Sequence, residues 1–394
     1  MSAPLVLMLS NAHPPGDVRV VHKEGAALAA AGWRVLHLCP AEGPQAPVGA
    51  VGIATFRRRG GLPGRLLALP GLCWRAHRLR PAVIHAHEPD SWLAALLAGR
   101  LGGAKVVLDV HEHYPSRLDS RLPPLLRPLA RGAIRRLCQA MARAADAVVV
   151  AKDGLAEDLH GAKRIVAVRN YAPLPALPPR RHGPGPLTLL HLGALSAARG
   201  AFVMLEALAR APADTRLLLI GRFTDGAEAR FWAEAAARGL AGRILFTGWL
   251  PPEEALARAA EADVGLVLFQ PGEENHRLAL PHKLFDCMAL GLPVIVPAFA
   301  TQVARIVADA GCGMAVDPTD PEAIASALAA LADPALRARL GAAGRQAAAE
   351  RFGWAAEAAR LLGLYATLLP AAAPAGAPAG PAGTRAEAAP HPSV

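Results

Sequence analysis

Short apolar runs, each broken by a polar turn and followed by a helical pattern, recur along this chain in two series. Strand, turn and helix in alternation specify a doubly wound parallel sheet covered by helices on both faces. In the first series the predicted strands are 4–10, 33–39, 82–87 (AVIHAH), 105–113 (KVVLDVHEH), 147–152 and 164–169, within a sheet of about seven strands. Asp17 is placed to cap a helix whose apolar stripe would be Val18, Val21, His22, Gly25, Leu28 and Ala29. The stretch 171–186 (YAPLPALPPRRHGPGP) then breaks the pattern and marks a boundary. Strands resume at 187–193, 216–221, 243–248, 264–269, 293–297 and 313–316. The fold class is therefore α/β, with two Rossmann-like doubly wound domains facing each other across a cleft. Residues 1–170 make the first domain, 171–186 the linker and 187–350 the second. A helix over 351–369 is expected to pack back toward the first domain, and the Ala/Pro/Gly-rich residues 370–394 are expected to be disordered.

A chain of 394 residues is long enough to bury two cores. Its 42 Lys and Arg against 32 Asp and Glu give a net charge of +10, which favours anionic partners. A GC-rich genome also enriches arginine, and that compositional explanation is the larger one. Nucleic acid is disfavoured, because the aromatics that stack bases are sparse. Cys39, Cys73, Cys138, Cys287 and Cys312 form no C-x-x-C, which fits a reducing cytosol without disulfides. The apolar start at 5–9 lacks a basic lead-in, so no signal peptide is expected. No run reaches the roughly 18 apolar residues of a membrane span. No G-x-G-x-x-G follows a predicted strand, which argues against a dinucleotide dehydrogenase.

Chemistry concentrates in 270–297, QPGEENHRLALPHKLFDCMALGLPVIVP. A polar loop leads to a helix opened by Pro281 and closed by Gly291, then to a short β-branched strand. Free N–H groups at the helix start make an anion site. Lys283 and Asp286 stand three apart on one face, suited to a diphosphate and a ribose or else to a solvated ion pair. The segment PHKLFDCMALGLPVIVP resembles the donor-binding segment of GT-B glycosyltransferases, especially family 4. That resemblance implies a ribose contact for Asp286. The family's second Glu, against the sugar, is here Leu278, with Glu273 and Glu274 nearby in the loop.

The resemblance runs in matching order through nearly the whole chain. GALSAARG (193–200) is similar to a family loop whose basic residue meets the donor diphosphate, a role implied for Gly193 and Arg199. Ala194 stands where many relatives carry Arg. Arg222 and FTGWLPPEE (246–254) match the next two loops, which would turn Trp249 and Leu250 toward the base. DVHEHYP, HPPGDVRVVHKEG and HAHEPD resemble the first-domain loops at the same cleft. This implies His111 and Glu112 as the catalytic pair, Gly16 against the diphosphate, and His13, Asp17, Arg19 and His87 on the acceptor side. The pairs His85/His87 and His111/His113, with Asp109 or Glu88, also make a metal site conceivable, but the resemblance accounts for them better.

What this implies is a retaining, metal-independent glycosyltransferase. It would move a sugar from a nucleotide-diphosphate donor to a glycan, lipid-linked or small-molecule acceptor. No cofactor is expected, the nucleotide-sugar being a substrate. The alternatives are a nucleotide-sugar 2-epimerase of the same fold and a non-catalytic nucleotide-sugar-binding or partner protein. The basic amphipathic segments 56–80 and 121–143 suit an anionic membrane surface, or else a solvated face in an arginine-rich chain. The expected location is cytoplasmic, peripheral on the inner face of the cytoplasmic membrane if those segments bind lipid.

Overall fold

A computed structural model describes residues 3–58 and 60–370, so the reading of 371–394 falls outside the described residues. The first sheet holds β1 (Leu5–Leu9), β2 (Arg34–Pro40), β3 (Val51–Phe56), β4 (Val83–Ala86), β5 (Lys105–Val110), β6 (Ala147–Val150) and β7 (Ile165–Ala167). All run parallel in the order β3-β2-β1-β4-β5-β6-β7. The second holds β8 (Thr188–Leu192), β9 (Arg216–Ile220), β10 (Ile244–Gly248), β11 (Val264–Leu266), β12 (Val294–Pro297) and β13 (Gly313–Val316). It too is parallel, in the order β10-β9-β8-β11-β12-β13. Helices cover both faces, so strands such as β1, buried along its whole length, read as unbroken apolar runs. The winding reverses between β1 and β4 and between β8 and β11, and the loops leaving those strands' carboxyl ends form the crevice.

The strand β3 has no counterpart among the predicted ones. It is an edge strand paired with β2, half-buried and carrying Gly52, and its last residue, Phe56, falls in the segment 56–80 expected as a basic amphipathic helix. That helix starts later, at Gly61–Arg78.

The helix after Asp17 departs from the expected stripe. Residues Val18–Gly25 form a π-helix, continued by the α-helix Ala26–Ala30. The wider turn buries Arg19, Lys23 and Glu24 and leaves His22 exposed. On an α-helical period Arg19 and Lys23 would share a face but Glu24 would fall well away from Arg19, and the wider turn brings the three together.

The connector lies on the second domain. Tyr171 stacks obliquely on Phe285 (4.7 Å between ring centroids), Arg180 N–H donates to the Leu290 carbonyl (2.8 Å), and Arg180 pairs with Asp263. The helix Trp354–Leu368 packs on the first domain, where Leu361, Leu364 and Tyr365 join Val6, Met8 and Val107 in one core.

Candidate functional site

The first-domain half of the crevice is organised by Glu88, which follows β4. Its carboxylate accepts from Ser10 Oγ (2.6 Å), Asn11 N (3.1 Å) and Ser91 Oγ (2.8 Å), fixing the loop after β1. In that loop His13 Nδ1 donates to Asp17 Oδ2 (2.8 Å), and the His13 and His111 rings lie 4.6 Å apart. Asp17 also caps the π-helix by accepting from Arg19 N and Val20 N. Burial alone would lower the His13 pKa. The hydrogen bond and charge of Asp17, with Glu88 and Asp109 behind, outweigh it and raise the pKa to about 9. Because the folded value lies above the ordinary 6.5, this stabilisation is complete below pH 6.5 and lost as pH rises through 9. Melting temperature should therefore decline over that window, and His13→Gln should flatten the decline; an unchanged slope would refute the charged imidazole.

Beneath His13 lies Asp109, the penultimate residue of β5. It accepts from His111 Nε2 (2.9 Å) and His87 Nδ1 (3.2 Å). The Asp109 carboxylate thereby fixes the orientation of the His111 ring. Burial pushes the His87 pKa down, so its ring is neutral. Arg19 corrects its expected acceptor-side role: it is fully buried and forks onto Asp109 (Nε 3.0 Å, Nη2 2.9 Å). It also donates to the Val168 carbonyl and Asn170 Oδ1. It acts on the site through Asp109 and His111.

Only one of the four histidines leaves the group: His113 turns away to Ser116 (2.8 Å) and Asp158 (2.8 Å), while His85 stays stacked on His87 (4.9 Å between ring centroids) and meets Tyr365 (2.9 Å). Glu24, His85, His87 and Asp109 do bring ligand atoms within 4.8 Å of one another. Arg19, 2.9 Å from both carboxylates, supplies the positive charge at that spot. Glu112 separates from His111, pairing at the surface with Arg117 (3.2 Å). Glu274 pairs likewise with Arg277 (3.1 Å).

The second-domain half gathers on glycine-ended strands. Gly193, Gly221 and Gly248 follow or end β8, β9 and β10 with φ of 96°, 150° and 73°. A side chain at Gly221 would fall 1.8 Å from the Gly193 carbonyl oxygen, so only glycine lets these loops touch. By contrast, nothing stands within 4 Å of a side chain added at Gly16 or Gly193. In the same domain, the helix His282–Leu290 begins with no side-chain cap and ends at Gly291 in the left-handed conformation.

Lys283 in its first turn is buried, with Nζ 2.9 Å from His191 Nε2. The alternative reading, a solvated Lys283–Asp286 ion pair, does not form. Lys283 Nζ and Arg199 Cζ lie 6.0 Å and 5.8 Å from the same Phe269 ring. Among the described residues neither cation has a carboxylate within ion-pair distance. Burial, and then Arg199, push the Lys283 pKa well below its ordinary value. Asp286 is raised to about 6 by burial, opposed by Lys23 and Lys283. At the outer edge the exposed Arg222 sits 5.3 Å over the Trp249 ring, and Leu250 packs inward on the core.

Two contacts that no local pattern signals close the crevice. Lys23 Nζ reaches the Tyr171 carbonyl (2.6 Å) and His282 Nδ1 (2.7 Å), and Asn275 Oδ1 accepts from His113 N (2.8 Å). They join residues 259 and 162 positions apart.

One buried and one partly buried cation, glycine loops and a helix start suit a polyanion, and a histidine–carboxylate cluster faces them. Residues 16–176 match the family described as glycosyl transferase 4-like domain, and residues 178–347 match glycosyl transferases group 1. A curated D-inositol 3-phosphate glycosyltransferase of Xylanimonas cellulosilytica is 31% identical over 333 residues, 77% of each chain. A sucrose-phosphate synthase from Thermosynechococcus elongatus superposes with a TM-score of 0.73 at 23% identity, over 94% of this chain and 100% of that one. Anabaena HepE, solved with UDP and glucose, gives 0.70 at 15% identity, over 92% and 100%. These solved structures share the two-domain GT-B fold. On its sequence matches, the chain belongs to the family-4-like glycosyltransferases.

Proposed function

We propose that this glycosyltransferase takes its sugar from a nucleotide-diphosphate donor seated on the second domain and passes it, with retained anomeric configuration, to an acceptor on the first. The observation that carries this reading is a pair of cations, the buried Lys283 and the partly buried Arg199, beside the start of the helix His282–Leu290, neither with an ion-pair partner among the described residues. Burying a cation without a counter-charge is costly, and a diphosphate arriving there removes the cost. As the donor's glycosidic bond breaks, charge grows on the leaving diphosphate, and both cations are already in place to offset it. That is work a metal does in other transferases, so a chelator should leave activity intact.

Asp286 would hold the ribose hydroxyls, and the glycine loops would pass the backbone of β8–β10 close to the nucleotide. His111 and the charged His13 would line the acceptor side, with Glu88 and Asp109 holding both in place. The UDP and glucose found with the Anabaena structure lend support to a uridine donor. The curated relative's name supports a small phosphorylated polyol among the acceptors to be tried.

The test is a panel of UDP-, GDP- and TDP-sugars read by thermal stabilisation, then product analysis by NMR with each acceptor. A donor at 100 times its Kd should add about 2.7 kcal/mol of stability. Since Asp286 carries a proton below pH about 6, donor affinity should fall as pH drops through that value, and Asp286→Asn should remove the dependence. Inverted product stereochemistry, or no stabilisation by any nucleotide, would overturn the reading.

A further inference from the structure

Among the described residues, the large apolar side chains left exposed are not scattered. Apart from Ile165, Leu174 and Trp249, they all lie between Leu62 and Leu137. They sit on three first-domain helices, Gly61–Arg78, Pro89–Gly102 and Arg127–Ala144, and on the turn Pro124–Leu126 that leads into the third. The helix Pro89–Gly102 packs between the other two. Trp74, Leu97 and Leu101, exposed by 57%, 50% and 71%, border a groove of about 430 Å³. Leu125, on the turn, is 92% exposed.

The charge on these helices is almost all positive, with Asp119 and Asp158 from neighbouring turns pairing with Arg131 and Arg135 of the third. Arg75, Arg78, Arg100 and Arg136 are exposed, and the three helices contain a single acid. That acid, Asp90, is tied inward by Arg65 (2.8 Å) and Asn11 (2.7 Å). Single exposed leucines need no explanation, but a band of them across three helices does. A second copy of this chain seated on the same face would set arginines against arginines. An anionic surface with an apolar interior matches both features at once. Leucines would enter the acyl boundary while guanidinium groups stay at phosphate level. Trp74, with the Arg78 guanidinium 4.8 Å over its ring, is the amphipathic pair that such an interface favours.

We propose that this three-helix face of the first domain docks on an anionic lipid bilayer. No helix among the described residues is long and apolar enough to cross a membrane, so the attachment is peripheral. It needs neither donor nor turnover, and its test is independent of the transfer reaction.

The experiment is flotation of the full chain with phosphatidylglycerol/phosphatidylcholine vesicles and with phosphatidylcholine alone. Binding should require the anionic lipid and weaken as salt shortens the screening length from about 10 Å at 0.1 M to about 3 Å at 1 M. Arg75→Glu/Arg78→Glu should lower partition at least 25-fold, about fivefold for each lost cation. Leu97→Gln/Leu101→Gln should weaken binding at every salt concentration. Both variants should melt with the parent, because the altered side chains are exposed. Equal binding to neutral vesicles, no binding, or indifference to both variants would overturn the proposal. So would a concentration-dependent dimer dissolved by Leu97→Gln, which would assign the face to a second copy.

Discussion

Replacing Lys283 by methionine should lower kcat by about 10²–10³ while leaving the melting temperature unchanged or raised. The rate effect is the scale for losing one pre-organised charge where the transition state develops charge. The stability effect follows from burial. Lys283 is buried beside His191, with Arg199 near and no carboxylate in ion-pair contact among the described residues, so its charged form costs free energy in the unliganded fold. Methionine fills similar volume without that cost. A residue present only for packing or for a structural ion pair would behave in the opposite way, losing stability and sparing turnover. Donor-induced stabilisation should shrink in the variant, which locates the loss at the donor. Full turnover in a folded Lys283→Met enzyme would remove the cation from the mechanism.

All the strands but the half-buried edge strand β3 were legible, because parallel strands buried on both faces leave continuous apolar runs in the sequence. The donor half was legible for a related reason. Its determinants are local: glycines at strand ends, a helix start, and a lysine in the first turn, all within short segments. The acceptor half was legible only in part. Its loops were identified, but which side chains face the crevice depends on the π-helix Val18–Gly25, and a helical-wheel reading assumes the α period. That assumption put His22 inward and missed Lys23 and Glu24. Glu88 and Asp109 were seen as metal ligands to weigh, since sequence does not show that their partners are hydroxyls, backbone amides and a buried arginine. Lys23–His282 joins two domains and has no local signature.

Arg19→Met should cost about 3–5 kcal/mol, the range for removing one partner of a buried ion pair. In the intact protein the buried charges balance. Burial pushes the Glu24 carboxyl well up, so it is neutral, while Arg19 and His111 hold Asp109 well below the usual carboxylate range despite its burial. One cation thus meets one anion, joined by two hydrogen bonds of 3.0 and 2.9 Å. Arg19→Lys should fall between, because a lysine cannot fork onto both oxygens. Arg19→Met/Asp109→Asn should recover part of the loss, since it leaves no unpaired anion. The sign of the pH dependence separates this from simple loss of packing. With Arg19 present, Asp109 has a depressed folded pKa, so its contribution is present above pH about 4 and fades as pH falls through the folded value. Without Arg19, desolvation raises the folded pKa above the unfolded one. The protonated form is then favoured, and stability is greatest below pH about 4 and lost as pH rises. Denaturant melts between pH 4 and 7 should therefore show Arg19→Met weakening with rising pH relative to the parent. A parallel pair of pH profiles, or a loss within about 0.5 kcal/mol, would mean that Asp109 does not depend on Arg19 for its charge.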